Sequence, residues 1–167
     1  MDEFIKKIIL GRTIQAAFQR GKVYKDGLDR KEKYELKSSI KKKLEQMASR
    51  YINEVSEEEH IRNIKSLSQT ISKKHGSKLK NKSLRIGTSQ KLLNVYVKFL
   101  WCLGEAKEPK HCPIDSIVLR EIKLNDKYKW TDLELIEEYE EIISEIRKHI
   151  HNKTVARWEW ELWNRRA

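Results

Sequence analysis

Residues 90–103 read QKLLNVYVKFLWCL. Leu92, Leu93, Val95, Tyr96, Val97, Phe99, Leu100, Trp101 and Leu103 are spread around most of the circumference of a helix, and a helix that is apolar on most sides is surrounded by other helices. Gly104 closes the segment as a C-cap. Immediately before it stands GSKLKNKSLRIGTS, residues 76–89, which reads as a polar, basic loop. Lys91 therefore stands at the mouth of the most buried element of the chain.

Outward from this segment the apolar spacing stays helical. In the first helix Phe4, Ile5, Ile8, Ile9 and Ala16 or Ala17 recur on one side, and a loop with Gly21 and Gly27 follows. The second opens at Asp29, with Glu32 completing a capping box, and carries Ile40, Leu44, Met47 and Tyr51. The third opens at Ser56 with Glu59, buries Ile61, Ile64, Leu67 and Ile71, and ends at Gly76. Beyond Gly104, Pro113 and Asp115 introduce a short element over residues 116–123, whose Ile117, Val118 and Ile122 also fit a strand. Thr131 with Glu134 resembles a third capping box before a helix burying Ile136, Tyr139, Ile143, Ile146 and Ile150, with Arg147 and Lys148 matching the dipole at its end. A last helix from about Thr154 carries Trp158, Trp160 and Trp163. Seven helices without a repeat or a Pro/Gly/Ser linker predict one compact all-α domain over residues 1–167.

Charge narrows the partners. The chain of 167 residues is 37% charged and carries a formal +11. Between His60 and Gly104 there is no Asp or Glu, while Arg62, Lys65, Lys73, Lys74, Lys78, Lys80, Lys82, Arg85, Lys91 and Lys98 place ten of those charges in one stretch. Such a patch binds a polyanion with release of counterions, so nucleic acid, DNA foremost, is the expected partner. A lysine-rich solvated surface or an acidic protein partner are the alternatives. The two cysteines cannot form a disulfide framework. No apolar run reaches the roughly 18 residues of a membrane span, and the N-terminus lacks a signal-peptide cleavage pattern. No membrane contact and a cytoplasmic location are expected.

Two constellations carry chemistry. Gly87, Thr88 and Ser89 read as a turn whose N–H groups converge on a phosphate, flanked by Lys73, Lys74, Lys78, Lys80, Lys82 and Arg85; the plainer reading is an interhelical loop using Gly87 for its backbone freedom. Lys91, placed on the first turn of its helix, meets a field that disfavours its proton, the condition under which a lysine acts as a nucleophile. Spacing alone favours plainer roles, Lys91 on phosphate and Asp115 as an N-cap. Cys102, His111 and Cys112 fit no zinc spacing, so neither metal nor cofactor is expected and Cys102 reads as a small core residue. His149 and His151 have no identifiable acid–base partner, and phosphate-loop and HExxH motifs are absent. Trp158, Trp160 and Trp163 cannot share one narrow face, so one can seal the core while another, with Arg165 and Arg166, suits an interface or single-stranded nucleic acid; a docked terminal helix is the plainer and favoured reading.

GTSQKLLNVYVKFL followed by CPIDSIVL resembles the core of the helix-hairpin-helix DNA glycosylase superfamily, over Ser56 to Leu119. The resemblance implies a hairpin that binds the DNA backbone, with Gly87 as its glycine. It further implies Lys91 as a nucleophile toward the sugar and Asp115 as the supporting carboxylate. The expected function is a basic nucleic-acid-binding protein with glycosylase/lyase-like base excision through Lys91 and Asp115. The rivals are a noncatalytic DNA- or RNA-binding module and a protein that docks an acidic partner.

Overall fold

The structure is a computed structural model that describes residues 2–165. Seven helices follow one another: α1 (Glu3–Phe18), α2 (Arg30–Ala48), α3 (Glu57–His75), α4 (Ile86–Cys102), α5 (Ser116–Glu121), α6 (Ile136–His149) and α7 (Val155–Asn164). Three 3-10 turns lie between them, at Ser49–Ile52, Gly76–Lys78 and Trp130–Asp132. Among the described residues there is no strand, and no helix is long and apolar enough to cross a membrane.

α4 is the hub, touched by α1, α2, α3 and α6. Leu92, Leu93 and Val97 are fully enclosed there, each worth roughly 1.5–3 kcal/mol of apolar transfer. One hydrophobic cluster runs from Ile9 to Leu162 around it. Only its last turn emerges: Leu103 is half exposed, and Cys102, expected in the core, lies on the surface. Gly104, at φ +74°, ends the helix in the left-handed conformation that glycine tolerates.

Local signals set most helix starts. Asp29 accepts from Glu32 N–H at 2.8 Å while the Glu32 carboxylate accepts from Asp29 N–H at 3.1 Å. Ser56, Asp115 and Thr154 cap α3, α5 and α7, each worth about 1 kcal/mol. Residues 116–121 are helical rather than extended because Asp115 satisfies the first N–H groups.

Three expectations change. α4 begins at Ile86, so Gly87, Thr88 and Ser89 are its buried first turn and not an exposed loop. These poor helix formers are held by tertiary packing, which overrides propensity. α6 begins at Ile136, not behind Thr131: the Glu138 carboxylate accepts from the N–H groups of Glu134 and Leu135, while Thr131 lies in a 3-10 turn. α1 buries Ile9, Leu10, Thr13, Ile14 and Ala17 and leaves Phe4, Ile5 and Ile8 exposed. That helix is apolar on several sides, so its periodicity selects no single face.

Candidate functional site

Lys91 and Asp115, 24 residues apart in sequence, meet: Lys91 Nζ donates to Asp115 Oδ2 at 2.7 Å. Lys91 is 6% exposed and Asp115 8%. Asp115 Oδ1 accepts from the N–H groups of Ile117 and Val118 at 2.8 and 3.0 Å, so one carboxylate caps α5 and binds the lysine. Burial pushes the Asp115 carboxyl upward, but the Lys91 charge, its hydrogen bond and the two N–H donors outweigh it and hold the group below its ordinary value. Lys91 lies five residues beyond the start of α4, outside the first turn where a helix dipole acts most strongly.

Gln90 sets this register. Its Nε2 donates to the Ile114 carbonyl at 2.8 Å and its Oε1 accepts from the Ile114 N–H at 3.0 Å. The clamp joins the residues immediately preceding Lys91 and Asp115, so the backbone fixes their approach.

Gly87 serves the same assembly. A Cβ at position 87 would stand 1.8 Å from the Trp130 carbonyl oxygen, and Gly87 N–H donates to the Leu133 carbonyl at 3.0 Å. Glycine lets the 130–133 segment lie on α4 and brings the Trp130 ring centroid to 5.7 Å from Lys91 Nζ. The Gly87 N–H is thus committed to protein rather than open to an anion, Ser89 is enclosed, and buried Thr88 reaches the wall of a neighbouring cavity.

Above the pair is a cavity of about 250 Å³ bordered by Arg20, Ser116, Arg120, Trp130 and Trp163. Arg20 Nη1 donates to Ser116 Oγ at 3.4 Å. Two turns along α4, Lys98 Nζ donates to Glu159 Oε2 at 2.7 Å and lies 5.7 Å from the Trp163 ring centroid. Glu159 is fully enclosed, and desolvation raises its carboxyl despite Lys98. The cavity thus combines a cation–carboxylate pair at its floor with arginines and indole rings at its border, chemistry that suits an anionic, planar group.

Behind the site runs a buried polar network. Tyr51 Oη and His60 Nδ1 are 2.7 Å apart, the His60 and His111 ring centroids 4.8 Å, and His111 Nδ1 and Tyr139 Oη 2.9 Å. Asn94 Nδ2 donates to Tyr139 Oη at 3.0 Å and to Gln90 Oε1 at 3.2 Å, linking the network to the clamp. His111 Nε2 lies 3.3 Å from Glu57, which Arg147 grips through two bonds of 2.7 Å. Burial, then the neighbouring His111, pulls His60 down to about 3; burial pulls His111 to about 4 against the carboxylate of Glu57.

The expected basic residues divide. Lys78 pairs with Glu35, and Arg85 with Asp132 and Glu134 at 3.0 and 3.4 Å. Lys73, Lys74, Lys80 and Lys82 are exposed and have no carboxylate partner among the described residues. No group of three or more His, Cys, Asp or Glu able to hold a metal occurs among the described residues. Trp158 is buried while Trp160 and Trp163 are about 40% exposed; Arg166 lies outside the described residues.

Sequence spacing missed Gln90, Arg20, Trp130, Glu159 and the His60–His111 pair. The seven-residue interval that places Lys91 and Lys98 on one face of an otherwise apolar helix is the signal that could have prompted a search for a second carboxylate. No family model, no curated protein and no solved structure matches the chain.

Proposed function

We propose that the protein binds DNA and carries out a glycosylase/lyase-like base excision at Lys91 and Asp115, with α3, the basic segment and α4 serving as a helix-hairpin-helix-like frame. The observation that carries this reading is the 2.7 Å Lys91–Asp115 pair at the floor of an arginine- and tryptophan-bordered cavity. A buried ion pair opening on a cavity marks a functional site more often than a surface pair does. The target base leaves the stack, at a cost of a few kcal/mol, and stacks against Trp130 or Trp163. The C1′–N bond breaks with its electron pair going to the base, which takes a proton from the Lys91 ammonium. The Asp115 carboxylate stabilises the positive charge that develops on the sugar. Neutral Lys91 then attacks C1′; the C1′–O4′ bond breaks with its electron pair on O4′, which takes a proton from the new amine, and the opened sugar is held as a Schiff base. A cytoplasmic location, where nucleic acid is an abundant polyanion, belongs to the same reading.

The test is borohydride trapping on duplexes with an abasic site or damaged bases, comparing wild type, Lys91→Gln and Asp115→Asn, with circular dichroism to verify that each variant is folded. A covalent adduct that requires Lys91 supports the reading. No adduct, with salt-sensitive binding common to all three proteins, removes it. The second reading is a noncatalytic DNA- or RNA-binding module. It is favoured by the Asp115 carboxylate having both oxygens engaged, one by α5 and one by Lys91, which suits a clamp between α4 and α5.

A further inference from the structure

Arg20, Lys22 and Lys80 surround a second cavity of about 300 Å³. None of the three has a carboxylate partner among the described residues. Arg85 and Asp132 also border it and pair with each other at 3.0 Å, with Glu134 3.4 Å from Arg85. Positive charge therefore outweighs negative around the cavity, an arrangement that lowers the free energy of a bound anion.

The fold builds this convergence. Lys25 N–H donates to the Lys78 carbonyl and Lys80 N–H to the Val23 carbonyl, both at 3.0 Å, so the segment after α1 pairs antiparallel with the segment after α3. Lys22 and Lys80 thereby share one rim. Gly21 keeps the turn after α1 tight, since a Cβ there would stand 3.0 Å from the Ala17 carbonyl oxygen and 3.2 Å from the Val23 side chain.

This cavity adjoins the Lys91 cavity. Arg20 borders both, and its guanidinium reaches Ser116, next to Asp115. Trp130 belongs to one cavity and Thr131 to the other.

We infer that the second cavity is the phosphate subsite of the Lys91 cavity: Arg20, Lys22 and Lys80 hold the backbone phosphate beside the nucleotide whose sugar faces Lys91, with Arg20 at the junction. The inference rests on the nucleic-acid reading above. A phosphodiester brings one negative charge and acceptor oxygens that a guanidinium meets with paired N–H donors and lysines meet as point charges.

Two measurements test it. The first is fluorescence anisotropy of a duplex carrying a tetrahydrofuran abasic analogue, titrated at several salt concentrations. Lys22→Gln with Lys80→Gln should lower the slope of log K against log salt by about 1, the single phosphate that the two lysines help to neutralise. Lys31→Gln with Lys42→Gln, an equal loss of charge on α2, should leave the slope unchanged. Equal reductions in both variants overturn the subsite in favour of a diffuse field. The second measurement follows amide chemical shifts as pyrophosphate is added. Shifts concentrated at residues 20–24 and 80–88 and lost in Lys22→Gln/Lys80→Gln support the subsite, and their absence overturns it. If pyrophosphate shifts these amides while the duplex does not bind, the nucleic-acid reading falls and the anion subsite stands. If the duplex binds but neither shifts nor slope respond, the subsite alone falls.

Discussion

Lowering the pH from 7 to 5 should destabilise this protein by about 4 kcal/mol, and the cause is the buried pair of histidines. His60 and His111 stay neutral in the folded chain, their pKa values pulled from 6.5 to about 3 and about 4. On unfolding each returns to roughly 6.5. Between pH 6.5 and about 4 the unfolded chain therefore binds more protons than the folded one, and stability falls as pH falls through that window. At pH 5 each histidine accounts for about 2 kcal/mol, from about 1.5 pH units at 1.36 kcal/mol each. The sum is a large part of the 5–15 kcal/mol typical of a folded domain. The groups facing the pair offset the effect only in part: Tyr51 and Tyr139 are neutral, while the Asn94 side chain and the Glu57 carboxylate favour protonation, and Glu57 is shared with Arg147. Urea denaturation at pH 7, 6 and 5 measures it. His60→Gln/His111→Gln should be less stable at pH 7 yet lose most of the pH dependence between 6.5 and 5, keeping a smaller slope from His75, which burial also lowers. Wild-type stability that stays flat over this range, or a slope that survives the double substitution intact, refutes the reasoning.

Gly87→Ala should cost about 3 kcal/mol, the upper end for overpacking, because the new methyl meets a backbone carbonyl at 1.8 Å that has no free rotamer with which to yield. Thermal denaturation should show a Tm lower by about 6–12 °C. Lys91→Met alone should cost about 3–5 kcal/mol by leaving the Asp115 carboxylate buried and unpaired, and adding Asp115→Asn should recover much of it while keeping an N-cap on α5. Urea midpoints of the two variants measure that recovery.

The helices were legible because their information is local. The stripe Ile40, Leu44 and Met47, the Asp29–Glu32 box and the all-round apolarity of residues 92–100 each need only neighbouring residues. What failed was also local evidence, outvoted. Gly-Thr-Ser at 87–89 has loop propensities, yet the Trp130–Leu133 segment packs on it and makes it helix. Thr131 and Glu134 had the spacing of a box, but Glu138 takes both N–H groups ahead of α6. Within the site, Lys91 and Asp115 were legible as chemical types, while their contact is set by the fold. Gln90, Arg20 and the edge-to-face His60–His111 pair were not, because each acquires its role from partners distant in the sequence, and such contacts leave no spacing in the sequence.

The Gln90 clamp has a kinetic consequence. Ile114 N–H is bonded to a side chain of the most enclosed helix rather than to a carbonyl of its own segment, so local fraying does not release it. It opens when the packing of α4 opens. The lysine–aspartate pair one residue further on inherits the same protection: it is assembled in the intact fold and dispersed once the core gives way. A ligand held in that cavity therefore draws its stabilising leverage from the whole core, and slows hydrogen exchange in α4 as much as in the cavity wall.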